Sequence, residues 1–440
     1  MSPSTSSTKP SVLILGGLQD GHARALLAFL VPSIADPAQQ SARHIRLVDK
    51  YLCLPQDDAY TTYMDSECQK ILKAGESIGV EYLQANLLVA SSRSKAFTLP
   101  EQYRTKTGGG GSETYDYVFD FTGETDYNAE EGVHVERTGR LLPELGRVAA
   151  AMGVKAYIRE LPALYHSDNK KPLKEGEGKP FSMRSKWVHE GVRAMAALPD
   201  LNIVVARPAL LYGPYAVDGY APRLLIGEIY KYIGERMEHL WSSDLRLHTI
   251  HTHDFAAGLW ALAGWMSGLG RAAAEAHANP IPCLLPNAEE LPAGMPGRDQ
   301  VVKAPFFNLV DDGDTTQGLM ASLAEKVVGV KVGFYNKVVC QFAKLNMIDV
   351  IEDVNEKHCE PWPEMLSKST PPITNTPFTP NLPRALLTKN HIAFDGTKVK
   401  EVVGFKLKFP SMTEEAIRDQ IQKFIQDGVW PNAPPKKSSS

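Results

Sequence analysis

Lys179-Pro-Phe-Ser-Met-Arg-Ser-Lys-Trp-Val-His-Glu190 and, shortly after it, Asn202-Ile-Val-Val-Ala-Arg-Pro-Ala-Leu-Leu-Tyr-Gly-Pro214 place a helix directly before a buried strand. The helix is expected from Ser182 to Leu198 and the strand from Asn202 to Ala206. The same alternation runs back to the start of the chain. Ser11-Val-Leu-Ile-Leu-Gly-Gly17 is an apolar run closed by paired glycines, the pattern of a first strand covered on both faces. A helix follows over His22 to Leu30, and strands are expected over 43–49, 80–86, 115–123 and 154–159, with a helix over roughly 133–152. Strands and helices in this alternation imply an α/β protein with a doubly wound parallel sheet.

Past residue 215 prolines and long helices dominate. Residues 272–304 read as a surface excursion, Phe306 to Val310 as a further strand, and Glu414 to Gln426 as a last helix. Arg104-Thr-Lys-Thr-Gly-Gly-Gly-Gly-Ser112 reads as a mobile loop, because four glycines carry a large ordering entropy. The expected division is a disordered lead (1–10), a sheet domain (11–215), a smaller, mainly helical region (216–433) with a strand or turn near 246–256 returning to the core, and a disordered tail (434–440).

The 440 residues are 43% hydrophobic and 22% charged, ordinary values for a soluble globular protein. A net charge of -4 without a basic cluster gives no reason to expect nucleic acid or an acidic membrane surface as partner. Small-molecule chemistry is the expectation. Cys53, Cys68, Cys283, Cys340 and Cys359 are odd in number and show no Cys-x-x-Cys spacing, which fits reduced thiols and a cytoplasmic location. Neither a secretory signal nor a membrane span is expected from the apolar runs.

The opening stretch resembles the active-site helix and following strand of the extended short-chain dehydrogenase/reductase family, the NAD-dependent epimerases and dehydratases. The pattern can be followed from about residue 11 to 315. Asp311-Asp-Gly-Asp-Thr-Thr-Gln317 through Asp395-Gly-Thr-Lys398 is similar to a long-tailed subgroup found in fungi and other eukaryotes. The resemblance implies a Rossmann-like domain, a C-terminal substrate-binding region, a small organic substrate and, as in many relatives, a homodimer.

Family members carry a tyrosine four residues before the lysine. Here Lys186 is kept and Ser182 stands in the tyrosine's place. A serine hydroxyl is far less acidic than a phenol near pKa 10 and cannot inherit its proton transfer. Aligning on Tyr165 puts Leu161, beside Glu160, where the family has a serine or threonine.

The glycine fingerprint departs as well. Against Gly-Gly-x-Gly-x-x-Gly the chain reads Gly16-Gly17-Leu18-Gln19-Asp20-Gly21-His22, so Gln19 and His22 replace glycines and Asp20 sets negative charge where a phosphate would come. Asp49, closing the second strand, is placed to bond an adenosine ribose and would favour NAD over NADP. Its other reading is a surface aspartate at a strand end. Asn86, Thr122, Gly123, Lys186 and Pro208 match family positions that line the cofactor.

Glu160 is expected at the carboxyl end of a central strand, either for acid–base work with Lys186 and Ser182 or in an ion pair with Arg159, Lys155 or Lys186. Tyr165 and Tyr212 could supply a displaced phenol. On the substrate side the resemblance points to Glu124, Tyr212, Arg223 and His251. Arg223 reads either as an anchor for an anionic or carbonyl group or as a solvated helix arginine. His248, His251 and His253 are dense enough to suggest a metal, but His251-Thr-His-Asp-Phe-Ala matches a strand-to-helix turn capped by Asp254, and no metal is expected. The implied reaction is an isomerisation, cyclisation or elimination. The alternatives are an NAD(P)-dependent oxidoreductase or epimerase with a displaced tyrosine, and a catalytically silent dinucleotide sensor or scaffold.

Overall fold

The computed structural model describes residues 9–53, 62–104, 113–168, 171–285 and 292–436. The four-glycine stretch expected to be a loop, and most of the termini expected to be disordered, lie outside the described residues. Six strands appear in the order expected: β1 (Ser11–Leu15), β2 (His44–Asp49), β3 (Val80–Gln84), β4 (Tyr117–Asp120), β5 (Ala156–Glu160) and β6 (Ile203–Pro208). Two more come from beyond residue 215: β7 (Ala278–Pro280) and β8 (Lys303–Leu309). Together they form an eight-stranded sheet in the order β7-β8-β6-β5-β4-β1-β2-β3. All neighbours are parallel except the edge strand β7, which runs antiparallel to β8.

The sheet is covered on both faces, and the strands show why. In β1, Leu13 and Leu15 enter one core with Val118, Tyr157 and Val205. Val12 and Ile14 enter the other with Ile45, Leu47, Phe119 and Ile158. All five residues of β1 are fully buried, and each large aliphatic side chain so buried contributes roughly 1.5–3 kcal/mol relative to exposure. A run without polar interruption is stable only between two layers of helix. Helices α1 (His22–Leu30) and α4 (Thr252–Ala274) cover one face, while α2 (Leu141–Ala151) and α3 (Met183–Ala196) cover the other.

Local chemistry fixes the helix starts. Ser182 caps α3, its hydroxyl accepting from the Ser185 amide at 3.1 Å. At the head of α4 the cap is His251, whose Nδ1 accepts from the His253 amide at 3.1 Å, and not Asp254 as expected. Asp254 instead receives the amides of Lys408 and Phe409 at 3.0 and 2.7 Å. Burial pushes His251 down to about 4, keeping its ring neutral and able to accept. His251 ends a short strand (Thr249–His251), and His253 already lies in α4.

The 272–304 segment is more than a surface excursion. Its described residues supply β7 and contacts to α3, where Arg193 donates to the carbonyls of Pro296 and Gln300 and His189 faces the Pro282 carbonyl at 2.8 Å. Among the described residues no helix is long and apolar enough to cross a membrane.

At the centre of the sheet Asp120 is fully buried and Arg159 is 2% exposed. The Arg159 guanidinium donates to the Asp120 carboxylate at 2.9 Å and to the Thr122 carbonyl at 2.7 Å, and the Tyr157 hydroxyl donates to Asp120 at 2.7 Å. Replacing Asp120 with alanine strands a buried guanidinium, so Asp120→Ala is expected to lower unfolding free energy by about 3–5 kcal/mol in urea denaturation. A loss below about 1 kcal/mol would show that the pair does not hold the sheet centre.

Candidate nucleotide cleft and buried charge cluster

A cavity of about 510 Å³ opens where β1 meets β4, at the carboxyl ends of β1 to β4. This is the reversal point of strand order, where ligands of open α/β sheets bind. Gly16, Gly17, Gln19, Asp49, Asn86, Thr122 and Gly123 all line it. Gly16 and Gly17 have φ of 68° and 77°, and a Cβ on Gly17 would stand 2.8 Å from the Phe121 Cβ. Glycine is required there by both backbone and space.

The remaining walls are set by hydrogen bonds. Asp49 receives the amides of Leu18 at 3.3 Å and Lys50 at 2.6 Å. Burial pushes its carboxyl from 3.8 up to about 6. Thr122 donates its amide and hydroxyl to Asp120 at 2.8 and 2.7 Å. Asn86 accepts from the Leu88 amide at 3.1 Å and shapes the turn after β3. The Gln19 side chain, where the family fingerprint has glycine, accepts from Tyr51 at 2.6 Å and from Thr125 at 3.4 Å. Arg137 also lines the cleft, and its partner is Glu124 at 2.7 Å. The sequence reading missed Arg137, which lies in a π-helical stretch with no pattern of its own.

The other expected residues are not gathered at this cleft. Lys186 donates to Glu131 at 2.8 Å and lies 5.6 Å from the Trp187 ring centre. With Ser182 it faces a separate cavity of about 530 Å³. Pro208 ends β6. Tyr165 is buried, its hydroxyl 2.9 Å from His189 Nδ1 and its ring under Arg207. Tyr212 is buried with its ring edge-on to His251, 5.2 Å away. Burial pushes both phenols above their ordinary range. Arg223 lines a third cavity, of about 330 Å³, with His239 and Trp241.

Glu160 pairs with none of the basic residues weighed for it. Arg159 is taken by Asp120, Lys155 by Asp116 and Lys186 by Glu131. The Glu160 carboxylate meets His22 Nδ1 at 2.9 Å. His22 Nε2 lies 3.2 Å from Asp218, and Asp20 pairs with Arg184 at 3.2 Å. Arg184 also donates to the Tyr127 hydroxyl at 3.3 Å. Burial alone would drive His22 below its ordinary range, but the carboxylates of Glu160, Asp20 and Asp218 hold it well above. Burial likewise opposes ionisation of Asp20, yet His22 and Arg184 keep its carboxyl below the usual range. Of the cluster, Asp20 lines the cleft. The visible signal was an acid and an imidazole inside a glycine fingerprint; their partners lie far away in the chain.

No family model matches the sequence, and no curated protein matches it. Solved structures do. WbmG from Bordetella bronchiseptica in complex with NAD is 14% identical, with a TM-score of 0.57 over 97% of this chain and 97% of that one. A UDP-N-acetylglucosamine 4-epimerase from Methanobrevibacter ruminantium in complex with UDP-N-acetylmuramic acid is 13% identical, with 0.57 over 95% and 99%. DesIV, a dTDP-glucose 4,6-dehydratase from Streptomyces venezuelae with NAD bound, is 13% identical, with 0.55 over 94% and 97%. The chain therefore has the fold of the NAD-dependent epimerases and dehydratases, a Rossmann-like sheet with a helical C-terminal region.

The raised carboxyl of Asp49 gives a pH test. A folded-state value above the unfolded one means stability complete below pH 3.8 and lost as pH rises through about 6. Asp49→Asn, which cannot ionise, is expected to gain about 1–3 kcal/mol over the parent at about pH 8 and almost nothing at about pH 4. Chemical denaturation of both proteins at the two pH values checks it, and equal differences would refute it.

Proposed function

We propose that this chain is an enzyme of the short-chain dehydrogenase/reductase fold that binds NAD in the cleft at β1 to β4 and acts on a small organic metabolite by isomerisation, cyclisation or elimination. The observation that carries the reading is the convergence of Gly16, Gly17, Asp49, Asn86, Thr122 and Gly123 on one cavity, while the hydroxyl–phenol–lysine relay is missing. Leu161 is fully buried and apolar, Ser182 is engaged as a helix cap, and Lys186 is paired with Glu131. Proton chemistry at the cleft falls to Asp20, which lines it, and to the charged groups clustered with it, His22, Glu160 and Asp218. Support for NAD comes also from the solved structures of this fold, WbmG and DesIV among them, that hold it.

A second reading, a catalytically silent dinucleotide sensor, is favoured by the same engagement of Ser182 and Lys186. It calls for NAD binding with no metabolite turnover.

Calorimetric titration of the full chain with NAD, NADH, NADP and NADPH tests the binding reading. NAD or NADH is expected to bind, and the phosphorylated forms about tenfold or more weaker, because the Asp49 carboxylate would face the extra phosphate. Binding of none of the four overturns the proposal. Transfer of hydride from bound NADH to a carbonyl metabolite would overturn its non-redox part.

A further inference from the structure

We propose that Asp20, His22 and Asp218 form a binding site for one divalent first-row transition cation, with Glu160 as the residue that positions His22. One ligand atom from each of the three lies within 4.8 Å of the others, the spacing of groups around a shared ion. Among the described residues this is the one such group of three or more.

Two independent features point at a ligand rather than at a satisfied ion-pair network. First, His22 and Asp20 are 4% and 8% exposed, yet His22 Nε2 and Asp20 Oδ1 have no hydrogen-bond partner, and neither has the buried Asp218 Oδ1. Buried polar atoms are almost always paired. Asp218 Oδ2 approaches His22 Nε2 at 3.2 Å as a charge contact. Second, Glu160 holds His22 Nδ1 at 2.9 Å. With the Nδ1 proton shared with that carboxylate, a cation that displaces the Nε2 proton meets a lone pair flanked by the two aspartates, the arrangement in which metal-ligating histidines are usually held.

The frame is rigid. Gly21, between Asp20 and His22, has φ of 94°, and a Cβ there would stand 1.9 Å from the Tyr215 carbonyl oxygen. The Val217 amide donates to the Asp20 carbonyl at 3.3 Å, tying the Asp218 loop to the head of α1. Charge agrees as well. Once a cation displaces the proton on His22 Nε2, the carboxylates of Asp20, Asp218 and Glu160 face a single guanidinium, Arg184, which engages only Oδ2 of Asp20. A dication offsets the excess. One imidazole with two carboxylates suits zinc, manganese, iron or cobalt, while calcium and magnesium prefer oxygen alone.

The site also answers the conflict in the fingerprint. A bare Asp20 at the cleft wall repels a phosphate, whereas a cation held by Asp20 attracts one. This last step rests on the nucleotide reading above; the cation site itself does not.

The test uses the full chain, stripped with a chelator, dialysed and titrated with Mn²⁺, Zn²⁺ and Co²⁺. One equivalent is expected to bind, with ligand-field absorption of Co²⁺ typical of nitrogen and oxygen donors. Asp218→Asn, at a half-exposed position that folding tolerates, and His22→Gln are expected to abolish it, and Glu160→Gln to weaken it about 10–100-fold. His253→Gln is expected to leave it unchanged. Absence of uptake, uptake unaltered in Asp218→Asn and His22→Gln, or a sulfur-to-cobalt charge-transfer band from cysteine ligation would each overturn the site. NAD binding by chelated protein that takes up no cation overturns the cation site and leaves the nucleotide reading standing; cation uptake without NAD binding does the reverse.

Discussion

The buried pair of Arg159 and Asp120 is the interaction on which the cleft depends. Two charges removed from water stay in place only if most of their remaining hydrogen-bonding capacity is met, and here the cleft meets all of it but Arg159 Nε. Asp120 accepts from Thr122 and Tyr157, and Arg159 donates to the Asp120 and Thr122 carbonyls. The turn after β4 is thereby fixed against the end of β5. Thr122 and Gly123 form one wall of the cavity, and the residue after Arg159 is Glu160, which leaves the strand pointing at His22. One ion pair thus sets both the cleft and the charged cluster beside it.

The cluster changes what the glycine-rich turn can do. A helix N-terminus offers free amides and partial positive charge to an anion, and in this chain the turn brings carboxylates of its own. Asp20 at the head of α1 and Asp49 at the end of β2 both sit within that field. Their fates differ: Asp20 is held ionised by His22 and Arg184, while burial pushes Asp49, despite its two amides and the charge of Lys50, toward the neutral form. A ribose hydroxyl can bond either state of Asp49; a phosphate tolerates Asp20 only if another positive charge stands between them.

Strands were legible because burial on both faces writes itself locally. The apolar run at Ser11–Leu15 needs no partner to be recognised, and its glycines must follow it closely to let the backbone turn. The cavity-lining positions hang on those strand ends, so Gly16, Asp49 and Thr122 could be placed by counting along single segments. The partners could not. His22 and Glu160 are 138 positions apart, and their meeting depends on β1 and β5 flanking β4 in the sheet order. Likewise nothing in the proline-rich 281–300 segment states that it will accept hydrogen bonds from Arg193 on α3. Pairings of this kind are decided by sheet order and packing, which a one-dimensional pattern does not carry.

Ser182 shows how one substitution redirects a site. A serine side chain can cap the amide three residues on, and here it does so, with its hydroxyl also donating to Ser185. A phenol cannot make that short reach. Residue 182 therefore serves the start of α3, and Lys186, one turn later, has no phenol whose proton it could influence. It turns to Glu131, which also receives the Trp187 indole at 2.9 Å. The helix keeps its place in the fold while Ser182 and Lys186 are engaged by Ser185 and Glu131. At the head of α1, by contrast, Asp20 Oδ1 and His22 Nε2 are left without a hydrogen-bond partner, and that imbalance is where a reaction on this fold has room to arise.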